Sequence, residues 1–134
     1  MVYWIWNELG TCNMLESNTP SGVIIIDVRD LKDGADNSVE AIADKIQLVG
    51  NLLASGYKIV VRCQAGMSRS NTIACAAMVW INPRMYWDEA WKKVEKACPR
   101  ARLNLKFYST VKVALIKLCN GYGGCKDTIR ERLI

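Results

Sequence analysis

The chain has no histidine and a single phenylalanine in 134 residues. Without histidine it lacks the commonest metal ligand and the side chain best suited to moving protons near neutral pH. Any general acid must therefore be a carboxyl or another group. The six cysteines, at 12, 63, 75, 98, 119 and 125, contain no C-x2-C pair, so no zinc shell is readable, and neither a metal nor another cofactor is expected. They also lack the spacing of a secreted disulfide framework, although Cys119 and Cys125 bracket Asn-Gly-Tyr-Gly-Gly and could close a small loop in an oxidising setting. Long apolar runs are missing too. The longest nearly uncharged stretch, Ser70 to Pro83, is too short to span a bilayer and reads as a buried helix carrying an inert Cys75. Met1 to Gly10 has neither the basic nor the apolar region of a leader, so a cytoplasmic protein without membrane association is the expectation.

What remains is the composition of a soluble globular protein, 51% hydrophobic and 23% charged. One domain over residues 1–134 is expected, with 120–134 as a C-terminal tail. The net charge of +5 is scattered, with small clusters at Lys92, Lys93 and Lys96 and at Arg100 and Arg102. Such an excess favours anionic substrates without being a nucleic-acid signature. Five tryptophans read mainly as core filling rather than as platforms for bases.

Strands and helices alternate. Val2–Trp6 and Val23–Val28 read as strands, followed by a loop over residues 29–37 rich in Asp, Gly and Asn. Val39, Ile42, Ala43, Ile46, Val49, Leu52 and Leu53 share a helical face, with Asn37 as the expected N-cap, Glu40 three residues on, and Gly56 as the stop. Lys58–Arg62 is a third strand, central because its interior is Ile-Val-Val. Helices follow over Ser70–Ile81, stopped by Asn82-Pro83, over Trp87–Ala97, and over Asn104–Cys119. Ile129 and Leu133 suggest a last, short amphipathic helix. The pattern predicts an α/β fold, a small, mostly parallel central sheet flanked by helices.

The most telling segment is KIVVRCQAGMSRSNTI at 58–73. Its β-branched run meets Cys63, then small residues, then Arg69 and Ser70. A strand ending at Cys63 and a helix beginning near Ser70 leave the intervening N–H groups in a cradle for an oxyanion, reinforced by the helix dipole. A cysteine and a guanidinium then face the same point. As a mere buried residue at a strand end, Cys63 would need neither neighbour.

VVRCQAGMSRSNT resembles the signature loop of the cysteine-dependent protein phosphatases (the protein tyrosine phosphatase superfamily), and its AGxSRS interior is most similar to the compact dual-specificity branch. The later MYWDEAWKKVEKACPRARLNLKF also resembles that family's segment after the loop, so the similarity covers roughly residues 23–118. The resemblance implies Cys63 as nucleophile and Arg69 as a bidentate phosphate ligand. It implies the amides of Gln64, Ala65, Gly66, Met67, Ser68 and Arg69 as the phosphate cradle, and Ser70 as hydrogen-bond donor to the sulfur. Asp33, thirty residues before Cys63, matches the family's general acid in register; Asp30 and Asp36 are alternatives, and Asp27 reads as structural. The implied substrate is a phosphorylated protein carrying phosphotyrosine, or phosphoserine and phosphothreonine. Two departures stand out. The family's histidine before the nucleophile is Arg62 here. The short N-terminal part lacks one strand-helix unit of the family and any substrate-recognition insertion, from which a shallow, open pocket is expected. Ile-Asp-Val-Arg-Asp at 26–30 also resembles the rhodanese-like sulfurtransferases, but their loop has four residues between cysteine and arginine where this one has five. An RNA 5′-triphosphatase on the phosphatase fold is a further alternative, with nucleic acid as its partner.

Overall fold

The computed structural model describes residues 2–12, 21–32, 36–63, 68–120 and 132–133. Four strands and four helices are formed: β1 (Tyr3–Trp6), β2 (Leu9–Cys12), β3 (Val23–Asp27), α1 (Val39–Ala54), β4 (Lys58–Arg62), α2 (Arg69–Ile81), α3 (Trp87–Ala97) and α4 (Leu105–Asn120). They make one sheet in the order β1-β2-β4-β3. β2 and β3 run parallel to β4, and β1 pairs antiparallel with β2. The expected mostly parallel α/β architecture is therefore present.

β4 is central, and Ile59, Val60 and Val61 are all buried. A strand covered on both faces reads as a continuous β-branched run, as this one does. β2 is an addition to the expected elements. Leu-Gly-Thr-Cys has no strand pattern, yet all four residues are buried beside β4. Gly10 is there for space: a Cβ would come within 2.8 Å of Val2 and 2.9 Å of Trp4. Tertiary pairing outweighs local propensity in such a strand. The turn before it needs a left-handed residue, supplied by Asn7 at φ 48°.

The N-cap of α1 is Ser38, not Asn37. The Ser38 hydroxyl accepts from Ala41 N–H at 3.0 Å. Asn37 instead clamps Lys32, accepting from its N–H at 2.7 Å and donating to its carbonyl at 2.5 Å. Both residue types cap well, and the loop's need decides between them. For α4, Asn104 Oδ1 accepts from Phe107 N–H, so the helix proper starts at Leu105.

α2 is the core helix, buried without break from Ser70 to Val79. It packs against α1, α3 and α4 and against β2 and β4. Its C-terminus, left with orphan carbonyls, receives buried Arg132, which donates to the carbonyls of Val79, Asn82 and Met85. Ile129, the other half of the expected last helix, and Cys125, the second half of the suggested disulfide, lie outside the described residues. Of the tryptophans, Trp87 is buried with its ring centroid 4.4 Å from that of Tyr108, whereas Trp4 is exposed beneath the Lys58 ammonium. Among the described residues no helix is long and apolar enough to cross a membrane.

α1 and α2 approach closely at Gly50, where an added Cβ would lie 2.5 Å from Trp80 Cε3. Replacing a helical glycine by alanine ordinarily stabilises by about 1 kcal/mol. Overpacking here costs about 1–3 kcal/mol, and the clash outweighs the propensity gain. Gly50→Ala is expected to lower the urea midpoint of unfolding; a raised midpoint would show that the contact yields freely.

Candidate active site

The site forms where β4 ends and α2 begins. Cys63 follows β4 directly and is fully buried. Its amide donates to Cys12 O at 3.1 Å, continuing the parallel pairing by one residue. Its thiol donates to the Ser70 hydroxyl at 3.1 Å, across the loop. Ser68 precedes α2, and its carbonyl accepts from both the amide and the hydroxyl of Thr72, at 2.9 and 2.7 Å. The Ser68 hydroxyl is buried and has no partner among the described residues. A donor in that state at a helix N-terminus suits an oxyanion. Asp33, Gln64, Ala65, Gly66 and Met67 lie outside the described residues, so the acid and most of the amide cradle stand as sequence expectations.

Arg69 opens α2, and its Nη1 donates to Arg29 O at 3.2 Å and to Leu31 O at 2.5 Å. Arg69, the expected phosphate ligand, thus rests on the loop that follows β3. That loop is itself tied down: Val28 N–H donates to Arg62 O at 2.9 Å, and Leu31 N–H to Val28 O at 3.1 Å. Lys45 Nζ donates to Asp27 O at 3.0 Å and lies 3.4 Å from the Asp30 carboxylate. Asp27, Arg29, Asp30 and Lys45 line an open cleft of about 480 Å³ on this side.

The alternative acids differ in surroundings. Hydrogen bonds from the Arg29 guanidinium and amide, aided by its charge and that of Arg62, hold the Asp27 carboxyl below the usual range against a modest opposing effect of burial. A carboxyl favoured as the anion in this way is poorly suited to donating a proton. Asp30 pairs with Lys45, and Asp36 is exposed.

Arg62, in the place of the family histidine, is buried, with Nη1 3.7 Å from Asp27 Oδ2. It is in Cα register with Cys12 on one side and Asp27 on the other. Burial raises the Cys12 thiol above its ordinary pKa, with the Arg62 charge opposing.

A polar pair within the core went unforeseen. The Thr11 hydroxyl donates to Asn71 Oδ1 at 2.7 Å, tying β2 to the first turn of α2, and both residues are buried. Asn71 Nδ2 also faces Cys98 Sγ at 3.8 Å. The only sequence signal was a polar residue directly after Ser70 in an otherwise apolar helix. Neither this pair nor Arg29 and Lys45 can be placed without knowing which strands are neighbours.

Comparison with known proteins agrees with this fold. No family model matches the chain. Over 92 residues it is 30% identical to the dual specificity protein phosphatase PHS1 of Arabidopsis thaliana, a match covering 68% of this chain but 10% of that protein. The chain therefore spans about a tenth of that relative's length. Human DUSP28 superposes with a TM-score of 0.67 at 16% identity, over 90% of this chain and 99% of that one. A mouse putative dual specificity phosphatase, complexed with zinc tungstate, gives 0.70 at 16% identity over 90% of each chain. Tk-PTP in its active form gives 0.63 at 15% identity, over 85% of this chain and 95% of that one. The fold is that of the dual specificity phosphatases among which these structures are found, and the sequence match is to a protein of the same description.

The Thr11–Asn71 bond is a measurable part of the joint under the site. Thr11→Val removes the hydroxyl from a buried amide's environment and is expected to cost about 1–3 kcal/mol in urea denaturation. Thr11→Ser, which keeps the donor, should lose less. Equal stability of all three proteins would contradict the pairing.

Proposed function

We propose that the chain is a protein phosphatase, hydrolysing phosphotyrosine and also phosphoserine and phosphothreonine through a phosphocysteine intermediate. The observation that carries this reading is the Cys63–Ser70 contact of 3.1 Å at the start of a helix opened by Arg69. A buried cysteine with no chemical task has no use for a hydroxyl partner and a neighbouring guanidinium.

In the first step the Cys63 thiolate attacks phosphorus as the P–O bond to the substrate breaks. Asp33, protonated, gives its proton to the leaving oxygen. Arg69 and the amides from Gln64 to Arg69 hold the equatorial oxygens, binding best where charge spreads in the transition state. Among the described residues Arg69 rests on the Arg29 and Leu31 carbonyls through Nη1, and its planar fork has further donors for phosphate. In the second step Asp33 takes a proton from water as the water oxygen attacks phosphorus. The S–P bond breaks, phosphate leaves, and the Ser70 hydroxyl now donates to the departing thiolate.

The assignment of Asp33 as the acid draws support from the described residues that flank it in the chain. Leu31 O accepts from Arg69, and the Lys32 backbone is clamped by Asn37 on the far side of the segment. The buried thiols of Cys12, Cys63, Cys75 and Cys98 fit a reducing, cytoplasmic setting. The shared sheet of all four strands supports a single phosphatase domain over residues 1–134.

Cys63→Ser should abolish turnover of a phosphotyrosine peptide while still binding it; turnover equal to wild type would end the phosphatase reading. Asp33→Asn should slow a phosphoserine peptide by about 10²–10⁴-fold and an aryl phosphate with a good leaving group far less. A uniform effect would shift the acid to Asp30 or Asp36. RNA triphosphate and thiosulfate in the same assay separate the triphosphatase and sulfurtransferase readings.

A further inference from the structure

Asp27 stands at the end of β3 in Cα register with Arg62, one residue before the nucleophile. Its carboxylate is the meeting point of two arginines. Arg29 reaches it with Nη2 at 2.7 Å and with Nε at 2.9 and 3.0 Å, and the Arg29 amide donates to Oδ1 at 2.9 Å. Arg62 approaches from the buried side at 3.7 Å. The carboxylate–amide bond is an Asx turn, a local device that bends the backbone just after the side chain that makes it. The bend is followed by the Leu31-to-Val28 turn, and together they bring the carbonyls of Arg29 and Leu31 onto Arg69 Nη1. A path of hydrogen bonds thus runs from Asp27 through the Arg29 backbone to the guanidinium that grips phosphate.

We propose that Asp27 is a positioning residue for this site. It shapes the loop that holds Arg69 and pairs with the buried Arg62 beside Cys63. The inference rests on the phosphatase reading above and deepens it.

Two physical needs are met at once. Arg69 must present its fork in one orientation, because a misplacement of about 1 Å can cost about a hundredfold in rate. Arg62, buried and carrying a charge, needs a counter-charge to remain where it is. Without Asp27 its guanidinium would seek the nearest anion, which during turnover is the substrate phosphate. Asp27 does not act as the acid. Its carboxyl is held ionised by Arg29, and its oxygens are already engaged.

The test compares wild type, Asp27→Ala and Asp27→Asn in orthovanadate affinity, in kcat and KM for an aryl phosphate, and in thermal midpoint. Asp27→Ala is expected to weaken vanadate binding and lower kcat about ten- to hundredfold. Asp27→Asn keeps an acceptor for the Arg29 amide and should recover part of both. If Asp27→Ala does not fold, Arg29→Met serves instead, since it removes the side-chain clamp but leaves both carbonyls. It should weaken vanadate binding in the same direction, and no change would overturn the proposal. A lower thermal midpoint with unchanged vanadate affinity and kcat would make Asp27 merely structural and overturn it. Loss confined to substrates with poor leaving groups, equal in the Asn and Ala variants and with vanadate affinity intact, would make it an acid and overturn it. Wild type that neither binds vanadate nor turns over would bring down the phosphatase reading itself, and this proposal with it.

Discussion

The structure depends on the joint between β4 and α2, where the Cys63 thiol meets the Ser70 hydroxyl at 3.1 Å. A strand and a helix joined by so short a loop can hold two side chains in contact only if neither element can slide. β4 is fixed by pairing on both edges, and α2 by burial from Ser70 to Val79. Apolar burial has no direction of its own, so polar ties set the height of the helix on the sheet. Thr11 to Asn71 does so at its start, while at its end Arg132 ties the Val79 and Asn82 carbonyls to the C-terminal segment.

Charge around this joint is arranged by the same logic. Arg62 and Arg69 stand on either side of Cys63 in the sequence, and each is occupied by a group on the β3 side of the sheet. Arg62 faces the Asp27 carboxylate, and Arg69 the Arg29 and Leu31 carbonyls. An arginine in the place of the family histidine thus brings its counter-ion with it, from the neighbouring strand. The sequence shows Arg62 as a departure, whereas the register shows that it is accommodated.

Most of the fold, and the meeting of Cys63 with Ser70, could be read from the chain alone, because they rest on local signals. Ile-Val-Val announces a buried strand and Asn82-Pro83 a helix stop, while the five residues between Cys63 and Arg69 set an expectation of a phosphate-sized loop. What could not be read depends on pairing between distant segments. β2 is a strand because β1 and β4 lie on either side of it, and Leu-Gly-Thr-Cys shows no periodicity of its own. The cap of α1 went to Ser38 because Lys32, five residues before Asn37, had its own use for that side chain. The Asp27–Arg62 pair and the reach of Arg132 to α2 are likewise facts of register and topology, which no local pattern encodes.

The central claim is that Cys63 becomes phosphorylated, and trapping the intermediate tests it most directly. Ser70→Ala should slow breakage of the S–P bond more than its formation, so acid quenching during turnover of an aryl phosphate should preserve the adduct. Peptide mass spectrometry is expected to place the phosphate on Cys63. Steady turnover with no adduct there, or with the phosphate on a different residue, would contradict the account.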